Sequence, residues 1–197
     1  VSNHRFIEPF RQWRVACGRQ VEILDDGTET PDTRLGAIRD VVLAKAAVDL
    51  QDDLLVIGTD NLVQWSLADF VRTASAYRPH PSIALGQITS QEAATQCGVV
   101  LRDATSRITT FVEKSSNPPS REVALCVYYF PQPMCGELER FLESGGNADA
   151  PGYFIEWLVR RGTVHGIMMP GAWEDIGTPH AYHTVVQTWS KGDRQES

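Results

Sequence analysis

Apolar residues in this chain fall into short continuous runs and longer helical stripes, broken by polar, glycine and proline positions. From Arg34 to Val48, Leu35, Ile38, Val41, Val42 and Lys45 recur at helical spacing, and Asp32 or Thr33 is placed to cap a helix there. Leu54 to Ile57 is continuously apolar, the pattern of a strand covered on both faces. Ser66-x-x-Asp69 reads as a capping box opening a helix toward Tyr77, which Arg78-Pro79-His80-Pro81 terminates. Ser82 to Ile88 predicts a strand, and Ser90 caps a short helix ending near Cys97. A hairpin is expected from Gly98–Leu101 and Ile108–Glu113 around the turn Asp103–Ser106. Ala124–Phe130 is rich in β-formers, Glu137–Glu143 and Tyr153–Arg160 predict helices, Val164–Met169 a strand and Ala181–Trp189 a closing helix. Strands alternating with helices imply an α/β fold with a largely parallel sheet, helices on both faces and ligands at the carboxyl ends of strands. Residues 1–190 read as a single domain and 191–197 as a polar tail.

Composition narrows the function. At 197 residues and 42% hydrophobic the chain can bury a sizeable core. A net charge of −7 argues against a nucleic-acid or anionic-membrane partner, though a local basic pocket is compatible with it. No apolar run has the length of a membrane span and no secretory leader is recognised. Cys17, Cys97, Cys126 and Cys135 lack metal-site spacing and read as free thiols. A cytoplasmic location is expected.

Two segments carry the candidate chemistry: Val56-Ile57-Gly58-Thr59-Asp60-Asn61 and Trp173-Glu174-Asp175-Ile176-Gly177-Thr178-Pro179. Each sets an aspartate where a strand-like run ends. Carboxylates at the ends of neighbouring strands could share one divalent cation, since Mg²⁺ takes a few oxygen ligands and leaves positions open for phosphates. Alone, either aspartate is an ordinary turn residue.

The ordered set Leu35-Gly36-Ala37, Gly58-Thr59-Asp60-Asn61, Cys97-Gly98-Val99-Val100, Phe111-Val112-Glu113-Lys114, Ala150-Pro151-Gly152-Tyr153-Phe154-Ile155-Glu156-Trp157-Leu158 and Trp173-Glu174-Asp175-Ile176-Gly177-Thr178 resembles the sugar-1-phosphate nucleotidyltransferases. The likeness is greatest to the glucose-1-phosphate thymidylyltransferase branch and runs from about Val1 to Trp189. It implies a three-layer, Rossmann-like sheet. The implied reaction, with Mg²⁺, is attack of a sugar-1-phosphate oxygen on the α-phosphorus of a nucleoside triphosphate, with pyrophosphate leaving. By the resemblance Asp60 and Asp175 are Mg²⁺ ligands, Lys114 contacts the sugar phosphate and Glu113 a sugar hydroxyl. Gly98 lets backbone approach the sugar, Trp173 borders it, and Gly36 lies near the base. No residue is assigned as a protein acid or base.

Departures from the family pattern set further expectations. The family opens with a strand and a Gly-rich loop ending in Arg that cradles the triphosphate. This sequence opens instead at Val1-Ser2-Asn3-His4-Arg5, which resembles the end of the family's second strand. Thr59 replaces a usual Gly beside the metal aspartate, Ser115 a Pro, and Cys126 a Gly, the last narrowing the sugar pocket. Without that first strand two sheet edges lack partners. Re-pairing, a partner strand or a homo-oligomer covering the exposed edge is then expected. Lacking the cradle, the chain alone is expected not to turn over. The rival reading is a non-catalytic module that binds sugar phosphate or acts as an interaction subunit; a generic α/β domain is the third.

Overall fold

The structure, a computed structural model, describes residues 1–192 and the side chains of residues 1–187. The apolar runs form strands where expected: β1 (Leu54–Ile57), β3 (Ser82–Gln87), β4 (Gly98–Arg102), β5 (Ile108–Glu113), β6 (Glu122–Phe130) and β7 (His165–Met168) build one sheet. A separate two-stranded ladder joins β2 (Asn61–Val63) to β8 (Trp173–Asp175). The helices are α1 (Ile7–Cys17), α2 (Ala37–Ala47), α3 (Leu67–Ser75), α4 (Gln91–Ala94), α5 (Glu137–Glu143), α6 (Pro151–Arg161) and α7 (Pro179–Gly192). Lys191 and Gly192 of the expected tail belong to α7; the rest of that tail lies outside the described residues.

Strand β6 shows why the sheet is covered on both faces. Side chains alternate across a strand, and here both sets are apolar. Val123, Leu125, Val127 and Tyr129 pack with Phe70 and Ala74 of α3 and Ala94 of α4. Tyr128 and Phe130 pack on the other face with Ile38 of α2, Leu138 and Phe141 of α5, and Phe154, Ile155 and Leu158 of α6. These are the three layers expected.

Strand direction corrects the largely parallel expectation. The sheet runs β5-β4-β6-β3-β7, with β1 also on β6. Among the described strands of this sheet only β3–β7 is a parallel pair; β1–β6, β3–β6, β4–β6 and β4–β5 are antiparallel. Four strands (β1, β3, β4 and β7) do share one direction, but β6 runs against them through the middle. A continuous apolar run reports two covered faces and carries no sign of direction, so β6 was indistinguishable from its neighbours in sequence.

One edge of β6 is divided between two strands. β1 pairs with Val127–Phe130, while β4 meets β6 at Val123. Since β1 and β4 run the same way, the carboxyl end of β1 faces the amino end of β4 across Ala124–Cys126. The sheet is therefore split at this point. Cys126 lies in the split with φ of +53°, left-handed backbone unusual for a residue with a Cβ.

The N-terminal region differs from its sequence reading. Val1–Arg5 makes one parallel bridge, Ser2 to Asp25, before His4–Phe6 turns as a 3₁₀ helix into α1. Only Ile7 of α1 is buried, while Phe6, Phe10 and Trp13 are about half exposed (46–51%). Among the described residues β1 pairs with no strand except β6, so its outer edge is not re-paired.

Candidate functional site

The β2–β8 ladder joins the two aspartate motifs. Asn61 stands opposite Asp175, so Asp60, one residue earlier, meets the end of β8. The Trp173 indole donates to Asn61 Oδ1 at 2.8 Å, and Asn61 Nδ2 donates to Asp60 Oδ1 at 2.8 Å. Across the ladder the Ile176 N–H donates to the Asp60 carbonyl at 2.8 Å, and within the turn after β8 the Gly177 N–H donates to Asp175 Oδ1 at 2.7 Å. A Cβ placed on Gly177 would lie 3.0 Å from Asp175 Oδ1 and 3.1 Å from Asp60 Oδ2, which bounds the separation of the two oxygens at about 6 Å. Both carboxylates are exposed to the cleft. Hard oxygen donors suit Mg²⁺, with its remaining positions kept for water or phosphate. Because each donor lies about 2.1 Å from a bound ion, sharing one ion requires the two oxygens to stand within roughly 4 Å, a spacing inside this bound. Among the described residues no cluster of three or more His, Cys, Asp or Glu side chains offers a fuller cage.

Glu113 occupies the other side. It ends β5 directly opposite Gly98, the first residue of β4. A Cβ on Gly98 would stand 2.8 Å from Glu113 Oε2, and one on Gly152 only 1.8 Å from the same oxygen. The carboxylate is wedged between two glycines, and burial raises its pKa, partly offset by Lys114 and reinforced by Glu156. Lys114 takes left-handed backbone (φ 48°), donates its N–H to the Cys97 carbonyl at 3.1 Å, and leaves its ammonium exposed.

Two thiols tie the halves together. Burial raises the Cys97 pKa, and Asp175 and Glu113 both add to it. Burial likewise raises that of Cys126, helped by Asp60 and Glu113. Carboxylates of both motif groups thus act on the same two thiols, Cys97 sensing Asp175 and Glu113 and Cys126 sensing Asp60 and Glu113. A cavity of about 570 Å³ opens between β1 and α2, lined by Ala37, Asp40, Thr59, Asp60, Cys126 and Pro151 among others.

Gly36 sits slightly apart. It precedes α2 with φ of +90°, and a Cβ there would come within 2.6 Å of the Ala148 carbonyl oxygen. Its lack of a side chain is explained by packing against the 147–149 loop; its neighbour Ala37 reaches the cavity. Sequence reasoning gave no role to Asn61, Gly152 or Gly177. Each lay inside a quoted motif, but only the fold shows which carboxylate it orients or makes room for.

The Nucleotidyl transferase family model matches residues 5–192. The chain belongs to this family. It is 28% identical over 139 residues to the bifunctional protein GlmU of Methanocaldococcus jannaschii, covering 71% of this chain and 31% of that protein. It is 24% identical over 131 residues to glucose-1-phosphate adenylyltransferase of Fervidobacterium nodosum, covering 66% of this chain and 31% of that one. In structure it resembles a Bacillus anthracis protein assigned as glucose-1-phosphate thymidylyltransferase and crystallised with sucrose. That match has a TM-score of 0.63 at 17% identity, covering 83% of this chain and 63% of the other. The nucleotidyltransferase fold is shared, and the chain spans about a third of each curated relative.

Proposed function

We propose that this nucleotidyltransferase-family chain forms the cation and sugar-phosphate part of a site that joins a nucleoside monophosphate to a sugar 1-phosphate. The convergence of Asp60 and Asp175 on Gly177 carries the reading. Mg²⁺ bound by these two carboxylates would neutralise phosphate charge, which phosphoryl transfer needs more than a protein acid or base. Asn61 and Trp173 hold the Asp60 carboxylate in orientation. Lys114 offers a compact cation to the sugar phosphate, and Glu113, in its glycine slot, accepts from a sugar hydroxyl. Ala37, which follows the turn at Gly36, borders the cavity where the base would lie. In the reaction a sugar-phosphate oxygen forms a bond to the α-phosphorus of the triphosphate as the bond to pyrophosphate breaks.

Cytoplasmic residence is part of the same proposal, supported by four free cysteines. Among the described residues no helix is long and apolar enough to cross a membrane. Self-association over the open β1 edge is a further part. Titration calorimetry with glucose 1-phosphate and Mg²⁺, on the native chain and on Asp60→Asn, tests the site. Mg²⁺-dependent binding that the substitution abolishes is expected. Binding indifferent to both Mg²⁺ and the substitution overturns the reading. Repeating it with each common nucleoside triphosphate separates a full substrate site from a sugar-phosphate module.

A further inference from the structure

Cys126 stands in the split of the β6 edge, between the carboxyl end of β1, which leads to Asp60, and the amino end of β4, where Gly98 meets Glu113. Its backbone is left-handed, a conformation glycine adopts freely and a side chain resists. Its sulfur lies against Gly58, so close that a Cβ there would be 2.7 Å from Sγ, and the Gly58 N–H donates to the Cys126 carbonyl at 2.8 Å. The thiol shares its cavity with Thr59, Asp60 and Pro151, and the next residue, Gly152, abuts the Glu113 carboxylate. The side chain therefore takes space on the Asp60 side of the split between the strand that leads to Asp60 and the strand that meets Glu113. A thiol is a weak hydrogen-bond donor and packs as a small apolar group, so it removes volume from the cleft and returns little to a hydroxyl.

We propose that Cys126 is a specificity-determining residue that sets an upper limit on the size of the sugar phosphate this cleft accepts. The proposal rests on the sugar-phosphate reading of the site. Cys126→Gly suits the backbone and removes the two heavy atoms that fill the split. Cys126→Ser keeps them.

The test is calorimetry in Mg²⁺ with xylose 1-phosphate, glucose 1-phosphate and N-acetylglucosamine 1-phosphate, on the native chain and both variants, each first checked for native circular dichroism. A carbon-sized mismatch in a tight pocket is worth about 10- to 200-fold, and the native chain should disfavour the N-acetylated sugar over glucose 1-phosphate by roughly that ratio. Cys126→Gly should bring the two within about 3-fold, while Cys126→Ser keeps the native ratio. The same ratio in the native chain and Cys126→Gly overturns the proposal and leaves the site reading intact; no heat from any of the three proteins overturns both. A second readout is alkylation of Cys126 by iodoacetamide, followed by mass spectrometry. Saturating glucose 1-phosphate should slow it, and an unchanged rate would show that the thiol does not face the ligand.

Discussion

Glu113 illustrates how much of this site is set by what its neighbours lack. Gly98 and Gly152 leave a slot that the carboxylate fills, and burial there favours its neutral form. A carboxyl whose folded pKa lies above its ordinary value of 4.5 weakens the fold once pH rises past that value, because the unfolded chain then ionises more readily. Below the ordinary value both states are protonated and the effect vanishes. Glu113→Gln should therefore raise the melting temperature at pH 7 and lose that advantage as pH falls below about 4.5, while sugar-phosphate binding weakens at every pH. Calorimetric melting across pH 4–8 would show it; an equal gain at all pH values would count against the burial account. Gly152→Ala drives a Cβ into the same carboxylate and should cost about 1–3 kcal/mol in urea unfolding. At Gly162 nothing lies within 4 Å of an added Cβ, so Gly162→Ala should change stability by no more than about 0.5 kcal/mol. In the sequence Glu113 and Gly98 were legible only through motif order, and the slot itself was not, since it joins residues of β4, β5 and α6.

At the level of elements, local chemistry was readable at some helix starts and not at others: the cap expected from Asp32 or Thr33 is not made, because α2 begins only at Ala37, after Gly36, with no side-chain cap. Ser66 and Ser90 cap their helices as their positions predict, accepting from the N–H groups of Asp69 and Ala93. The Leu54–Ile57 strand and the Glu137–Glu143 helix fall on the predicted residues. Helix α1 was not foreseen. Its apolar residues Phe10 and Trp13, with Phe6 just before it, are about half exposed, so its stripe gave no contrast with a covered core face. The β2–β8 ladder was also hidden, because three-residue strands carry no period. Beside its backbone bonds, that ladder is crossed by the bond from the Trp173 indole to Asn61. Trp173→Phe keeps an aromatic ring but loses the donor and part of the indole's volume; it should cost at least about 1 kcal/mol of stability and weaken Mg²⁺-dependent binding through the freed Asn61 and Asp60. Unchanged cation dependence in Trp173→Phe would mean that Asp60 is oriented by its backbone alone.

Across the whole molecule the sheet is well covered on both faces, and among the described residues the outer edge of β1 meets no other strand. Ile57, at its end, is 40% exposed and borders the cavity between β1 and α2. An uncovered strand edge is a template for another chain, and the homo-oligomer proposed here would place that contact on β1. Sedimentation should show association rising with concentration, and Ile57→Lys, which sets a charge on the edge, should hold the chain as a monomer. Association unaffected by Ile57→Lys would move the contact elsewhere. The open edge also leaves a signature in isotope exchange. The Gly58 N–H donates to the Cys126 carbonyl, and in an antiparallel pair bonded residues alternate. Leu54 and Val56 then turn their amides toward β6, while Leu55 and Ile57 turn theirs away. In deuterated water at low protein concentration, the amides of Leu55 and Ile57 should exchange far faster than those of Leu54 and Val56, although all four share one strand. As concentration rises and the edge is covered, that two-residue rhythm of labelling should fade.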